Sequence, residues 1–364
     1  MLVKEIMGVL EQMAPKAYAE EYDNVGLLCG SPEDEVTGIL VCHDALEEVI
    51  DEAIRSGCNM VVSFHPIIFS GLKSLTGKNY VERAVIKAIR NSVAIYAVHT
   101  SLDNHMDGVN QIICEALALQ NAKILIPKEN FIRKLVTYTV PDNADAVRNA
   151  LFEAGAGTIG NYDHCSFNSR GFSTYMGNED SNPVIGKKGE LTIGDEIKIE
   201  VTFKKHQQEA ILKALFNSHI YEEVAYEIYP LENRHQNIGA GKIGQLQTPM
   251  PEREFLESVK LKMRCGAIRH SEFTGREVKR VAVLGGSGSF AIRAAIAAGA
   301  DVLLTADLKY HDFYQAEGKI LLADIGHYES ERYTKNYIVD YLSKKIPNFA
   351  IVLSEVNTNP VKYL

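Results

Sequence analysis

The sequence predicts two α/β halves that together form one domain, interrupted by a smaller inserted α+β domain. Three observations carry this prediction. Apolar runs of strand length alternate with amphipathic runs of helical length in the first third of the chain and again in the last third. A middle segment follows a different order, with two strand-like runs in direct succession. At 364 residues the chain also exceeds what one hydrophobic core usually organises. The expected boundaries are 1–125 with 237–364 for the outer domain and 126–236 for the insert.

Residues 2–13 carry Lys4, Glu5 and Glu11 at helical spacing and read as an amphipathic surface helix, not a signal peptide. A strand over 38–42 (GILVC) and a helix over 45–55 follow. Next come a strand over 59–64 (NMVVSF), a helix over 80–90, a strand over 93–98 (VAIYAV) and a helix over 109–119. Strands separated by helices of this length imply right-handed crossovers and a mostly parallel sheet. In the middle segment, 131–140 (FIRKLVTYTV) alternates like a strand and stops at Pro141. Residues 143–154 read as a helix, and Gly155, Gly157 and Gly160 as a turn. Strands over 164–172 and 198–203, a helix over 207–216 and a strand over 223–229 complete it. That β-α-β-β-α-β order is the ferredoxin-like pattern. Beyond it, 237–246 is Gly-rich, 251–263 helical, 278–284 a strand, 288–298 a helix and 301–305 a strand. A strand over 319–323 (KILLA), a long helix from about 327 to 342 and a last strand over 349–353 close the chain.

Composition narrows the function classes. The net charge of −9, with no Lys/Arg run, argues against a general nucleic-acid-binding surface. No stretch approaches the roughly 18 apolar residues of a membrane span. Six cysteines without C-x-x-C spacing read as free thiols in a reducing compartment. A cytoplasmic protein is expected.

Candidate site residues recur where apolar strands end: His65 after NMVVSF, His99 and Asp103 after VAIYAV, His327 and Glu331 after KILLA. Open parallel α/β sheets bind ligands outside the carboxyl ends of their strands, so these side chains can converge on one crevice. Neutral imidazoles mixed with carboxylates suit a divalent ion such as zinc, manganese or iron. His327 and Glu331, four residues apart, share one helix face and can reach one ion. His43, before Asp44, could lie near the crevice. His311, four residues after Asp307, is a candidate for substrate contact. His206, His219 and His235 in the insert are expected to be solvated, and the sequence alone names no role for His105, His164 and His270.

Residues 281–291 (VAVLGGSGSFA) form a rival motif. Gly286, Gly288 and Ala291 fit G-x-G-x-x-A, and Asp307 follows at about the expected distance, so a nicotinamide dehydrogenase is a competing reading. Such a fingerprint opens a domain with several further strands, and fewer than about 80 residues follow it here. A turn that packs a helix on its strand, its amides available to a phosphate, fits better.

Taken in order, 19–27 (AEEYDNVGL), 63–69 (SFHPIIF), 99–103 (HTSLD), 285–289 (GGSGS), 305–311 (TADLKYH) and 326–331 (GHYESE) resemble the Nif-three-like dinuclear metal-centre family. That family is also known as type 2 GTP cyclohydrolase I homologues. Residues 155–167 (GAGTIGNYDHCSF) are similar to the insert of its longer bacterial members, itself similar to PII and CutA proteins. The resemblance implies a toroidal homohexamer with paired metals facing an inner cavity. It implies ligands at His65, Asp103, His327 and Glu331, a bridging carboxylate, and His99 beside them. It also implies hydrolysis of a nucleotide or related small molecule, with Glu331, His311 and Asp307 as candidate catalytic groups. The alternative is a non-catalytic metal-binding scaffold with an effector-binding insert. The chain departs from the pattern at Phe64, where the family carries a second histidine before the Pro. One ion keeps enough ligands, so a single tight metal is expected, or a second at reduced occupancy.

Overall fold

The computed structural model describes residues 1–364. The chain divides into two compact units, Met1–Ile126 with Asn237–Leu364, and Pro127–Gln236. Its strands are β1 (Gly26–Cys29), β2 (Ile39–Asp44), β3 (Met60–His65), β4 (Ala94–Ala97), β5 (Gln120–Pro127), β6 (Ile132–Thr139), β7 (Phe167–Tyr175) and β8 (Thr192–Lys204). They continue with β9 (Tyr226–Leu231), β10 (Gly239–Pro251), β11 (Arg269–His270), β12 (Glu277–Ser287), β13 (Val302–Ala306), β14 (Leu321–Asp324) and β15 (Ile351–Leu353). No helix is long and apolar enough to cross a membrane.

The larger unit holds two sheets. The first runs β1-β4-β3-β2-β15, with β2, β3, β4 and β15 parallel and β1 antiparallel at one edge. The second runs β11-β14-β13-β12-β10-β5, with a parallel centre of β12, β13 and β14 and antiparallel neighbours β10 and β11. The first sheet is apolar on both faces because both are covered. Leu40, Cys42, Val61 and Ile95 pack under the helices Glu47–Arg55 and Tyr80–Arg90, through Val49, Ile50, Ala84 and Ala88. The alternate residues Ile39, Val41, Met60, Val62 and Phe64 join a core shared with Val281, Val283, Val302 and Leu304 of the second sheet. Period-two alternation thus places His43, next along from Val41, and Phe64 on the face that looks toward the second sheet.

The strand-helix alternation of the outer segments is present, with four differences. Residues 237–246 belong to the 13-residue strand β10. Its glycines are used at close quarters: Gly241 takes φ +64°, and a Cβ at Gly244 would stand 3.0 Å from Leu119 Cβ. The expected helix over 327–342 is two helices, His327–Glu331 and Thr334–Lys345. Thr334 Oγ1 donates to the Glu331 carbonyl at the break, a local side-chain bond that competes with the helix ladder. The strand expected over 319–323 runs instead from Leu321 to Asp324. Finally, β1, β5 and β11 are edge strands whose short or polar runs carry no clear alternation.

The smaller unit orders its strands β7-β8-β6-β9, all antiparallel. Helices Ala144–Glu153 and Gln208–Ser218 bury Val147, Leu151, Ile211 and Leu215 against Leu135, Ile199 and Val201.

Candidate metal centre

Both parallel sheets of the larger unit deliver polar side chains at the carboxyl ends of their strands. His43 and Asp44 close β2, and His65 closes β3. Short helices follow β4 and β14, carrying His99 and Asp103 on one and His327 and Glu331 on the other. The side chain at the centre is Glu331, which is 3% exposed. Its Oε2 lies 3.2 Å from His65 Nε2, 3.3 Å from His327 Nε2 and 3.5 Å from His43 Nε2. The structure thus brings residues more than 260 positions apart to one carboxylate.

Three rings around the centre are held from behind. His65 Nδ1 lies 2.8 Å from Asp44 Oδ1, His99 Nδ1 2.8 Å from Asp23 Oδ1, and His327 Nδ1 2.7 Å from Asp307 Oδ2. With an ionised carboxylate as acceptor, Nδ1–H is the donor in each pair, which fixes the ring and turns Nε2 forward. The carboxylates are themselves tethered. Asp44 accepts from Thr358 Oγ1, Asp307 from Ser287 Oγ, and Asp23 from the Thr100 amide and hydroxyl.

Electrostatics follow from this packing. Burial opposes charge on Glu331, but His327, His43 and His65 outweigh it and hold the carboxyl well below its usual range. Burial would likewise lower the pKa of His65. Its Asp44 bond and the Glu331 charge reverse that and push it up to about 9. His327, with Asp307 and Glu331, goes up to about 11. Asp103 behaves oppositely, because burial and then the Glu331 charge raise its pKa well above the usual value.

Several buried atoms have no hydrogen-bond partner: Glu331 Oε2, Asp103 Oδ1 and both ring nitrogens of His43. Native interiors satisfy such atoms. Nitrogen and oxygen donors about 2.1 Å from one tetrahedral ion stand about 3.4 Å apart. The spacings of 3.2 and 3.3 Å from Glu331 Oε2 to His65 and His327 match that edge. His65, His327 and Glu331 form one group able to hold a cation, and His43, Asp44 and His65 form another. The donor set fits a divalent transition metal.

Contrary to the expectation from sequence, the Gly285 and Gly286 amides of the Gly-rich turn are not available to a phosphate. Gly285 N donates to Asn110 Oδ1 and Gly286 N to Ser330 Oγ, both within hydrogen-bond range at 3.0 and 2.9 Å. Gly286 takes φ +71°, and a Cβ there would lie 2.5 Å from Glu331 Oε1. The glycine lets the backbone pass against the central carboxylate.

His65, His327 and Glu331 come together as expected; His99 stands beside them with its ring 5.2 Å from that of His65, and it and Asp103, whose Oδ1 is buried, lie outside both ligand groups. Asp307 serves as the partner of His327. His311 is exposed, packs on Tyr310 and Tyr314, and lies outside both ligand groups. Asp23 and Asp44 escaped sequence reading because their role lies in long-range pairing. His219 was expected to be solvated. It is buried, with Nε2 bonded to the Tyr138 carbonyl and Nδ1 accepting from the Tyr221 amide.

Comparison with known proteins places the chain. The family model described as Duf34/NIF3 (NGG1p interacting factor 3) matches residues 1–360. A Bacillus subtilis protein named GTP cyclohydrolase 1 type 2 homolog is 37% identical over 99% of this chain and 98% of its own length. A protein of the same name from Halalkalibacterium halodurans is 36% identical, with the same coverage of both chains. A crystal structure of a Bacillus cereus protein related to NIF3 superposes with a TM-score of 0.85 at 36% identity, covering 100% of this chain and 99% of that one. The chain belongs to the Duf34/NIF3 family.

Proposed function

We propose that this protein is a metal-dependent hydrolase whose ion is held by His65, Asp103, His327 and Glu331, with His99 alongside. The observation that carries the reading is Glu331 Oε2, buried without a hydrogen-bond partner and faced by two imidazole nitrogens at ligand spacing. A zinc, manganese or iron ion held there supplies Lewis-acid activation of a water. Asp44 and Asp307 keep His65 and His327 in the tautomer that presents Nε2. Beside the centre lies a cleft of about 400 Å³, lined by His65, His327, Tyr328 and Arg269. Arg269 is one cation of this cleft, paired there with Asp324, and the relatives' name, GTP cyclohydrolase 1 type 2 homolog, supports a purine nucleotide as the substrate. The reaction is then hydrolysis at the purine C8, with that carbon released as formate.

The family resemblance also supports a toroidal homohexamer in the cytoplasm, and the β-α-β-β-α-β order of the insert supports a PII/CutA-like module. One observation favours the alternative of a regulatory or scaffold assembly. The insert has its own cavity of about 580 Å³, lined by Tyr138, Phe172, Tyr175, Glu196 and Tyr221. The hydrolase reading predicts metal-dependent formate release from GTP by the purified protein, abolished in His327→Ala. Absence of formate from metal-loaded protein overturns it.

A further inference from the structure

We propose that His43 is a direct ligand of the ion held at Glu331, supplied from β2 in place of the imidazole that Phe64 on β3 does not offer. The inference rests on the metal-centre reading above and adds one residue to it.

Three observations carry it. His43 is 4% exposed, and neither ring nitrogen has a hydrogen-bond partner, an arrangement that native cores avoid unless something else occupies the lone pair. Its Nε2 then faces the same unpartnered oxygen as His65 and His327. The three nitrogens stand 3.5, 3.2 and 3.3 Å from Glu331 Oε2, each separation from that oxygen being close to one donor-donor edge of a tetrahedral site, and His43 falls with His65 and Asp44 in the second group able to hold a cation. The third observation is register. Cys42 pairs with Ser63 and Asp44 with His65 across the parallel ladder, so His43 lies opposite Phe64 at the same height along the strands.

Phe64 is fully buried and stacks on the His43 ring, with centroids 5.4 Å apart and planes 21° from parallel. The phenyl ring cannot coordinate; it backs the imidazole and sets its plane. Adjacent strands are about 4.8 Å apart, so an imidazole moved from position 64 to position 43 is displaced by one strand spacing. The His65 ring packs against both, with centroids 4.6 Å from His43 and 4.9 Å from Phe64. His43 also differs from His65 and His327 in having no carboxylate behind it. Its orientation comes from the Phe64 stack and from Tyr328, whose ring meets it edge-on at 5.0 Å.

The test uses the full-length protein loaded with Zn²⁺ or Co²⁺ and compares wild type, His43→Leu, His43→Leu/Phe64→His and the control His327→Ala. The measurements are bound metal per chain, the Zn²⁺ dissociation constant and the Co²⁺ ligand-field spectrum. His43→Leu is expected to weaken Zn²⁺ binding at least about 100-fold, at or beyond the upper end of what removing a residue behind a ligand does. It is also expected to alter the Co²⁺ band. The double variant, which returns an imidazole one strand away, is expected to regain most of the affinity. If His43→Leu binds as tightly as wild type with an unchanged spectrum while His327→Ala loses the ion, His43 is no ligand and the metal centre stands without it. Wild type that holds no divalent ion sinks the metal reading itself. Should His43→Leu fail to fold, anomalous diffraction from zinc-soaked wild-type crystals decides. A peak within about 2.3 Å of His43 Nε2 supports the assignment, and a peak bonded to His65 and His327 but not to His43 overturns it.

Discussion

His43 and His219 are both buried histidines, one in each unit of the molecule, and they are treated in opposite ways. The His219 ring is satisfied by main chain at both nitrogens, from Tyr138 and Tyr221. It bridges two segments of the insert, and burial lowers its pKa. The His43 ring is hydrogen-bonded at neither nitrogen, and its Nε2 stands 3.5 Å from Glu331 Oε2, which likewise accepts no hydrogen bond. Burial alone therefore does not mark a ligand. The informative sign is burial without a hydrogen-bond partner, because that arrangement is costly and a cation relieves it.

The comparison breaks most easily at the oxygen that all three imidazoles face. Glu331→Gln removes the charge but keeps the shape, so bound zinc is expected to fall at least about 100-fold in affinity, measured by competition with a chromophoric chelator. Retention of wild-type affinity would show that the bare oxygen is not a ligand.

His219→Leu sharpens the contrast from the other side. It leaves the Tyr138 carbonyl and the Tyr221 amide unpaired, which costs about 1–3 kcal/mol of stability in denaturant unfolding, while metal content stays at the wild-type level. A loss of metal would mean that the two histidines are not separable in this way.

The smallest effect is expected at Glu82, a buried carboxylate that is well supplied. It accepts from the amides of Thr76, Gly77 and Lys78 and from the Thr76 hydroxyl. Those bonds, the Thr76 amide foremost, lower its pKa from 4.5 to about 2. A carboxyl whose pKa is depressed on folding contributes stability that is fully present above the unfolded value and is lost as pH falls through the folded one. Wild type should therefore lose stability between about pH 4.5 and pH 2 more steeply than Glu82→Gln, as followed by acid titration of the folding transition. Parallel acid limbs would contradict the assignment.

Much of the site was legible because its residues sit at positions with meaning in sequence. His65 follows an unbroken apolar run, and His327 and Glu331 are one helical turn apart, so strand end and helix face could both be read locally. The Gly285–Gly288 loop was legible as a turn but misread in purpose, since its amides are taken by Asn110 and by Ser330, residues far away in sequence. The break at Arg332 and Tyr333 was hidden because the apolar spacing continues through it, while a single threonine hydroxyl caps Glu331.

The amino-acid order by itself determined the alternation of strands and helices, the interruption by a second unit and the chemistry of the donor set. Those are set by period, turn residues and side-chain type, which act over a few residues. Only the tertiary structure decided that His43 faces Phe64 across a parallel ladder, that Asp44, Asp23 and Asp307 each steady a different imidazole, and that His219 is satisfied while His43 is not. The physical reason is that register between strands and the supply of hydrogen-bond partners are properties of segments brought together from distant parts of the chain. No local pattern specifies which lone pair will be left bare.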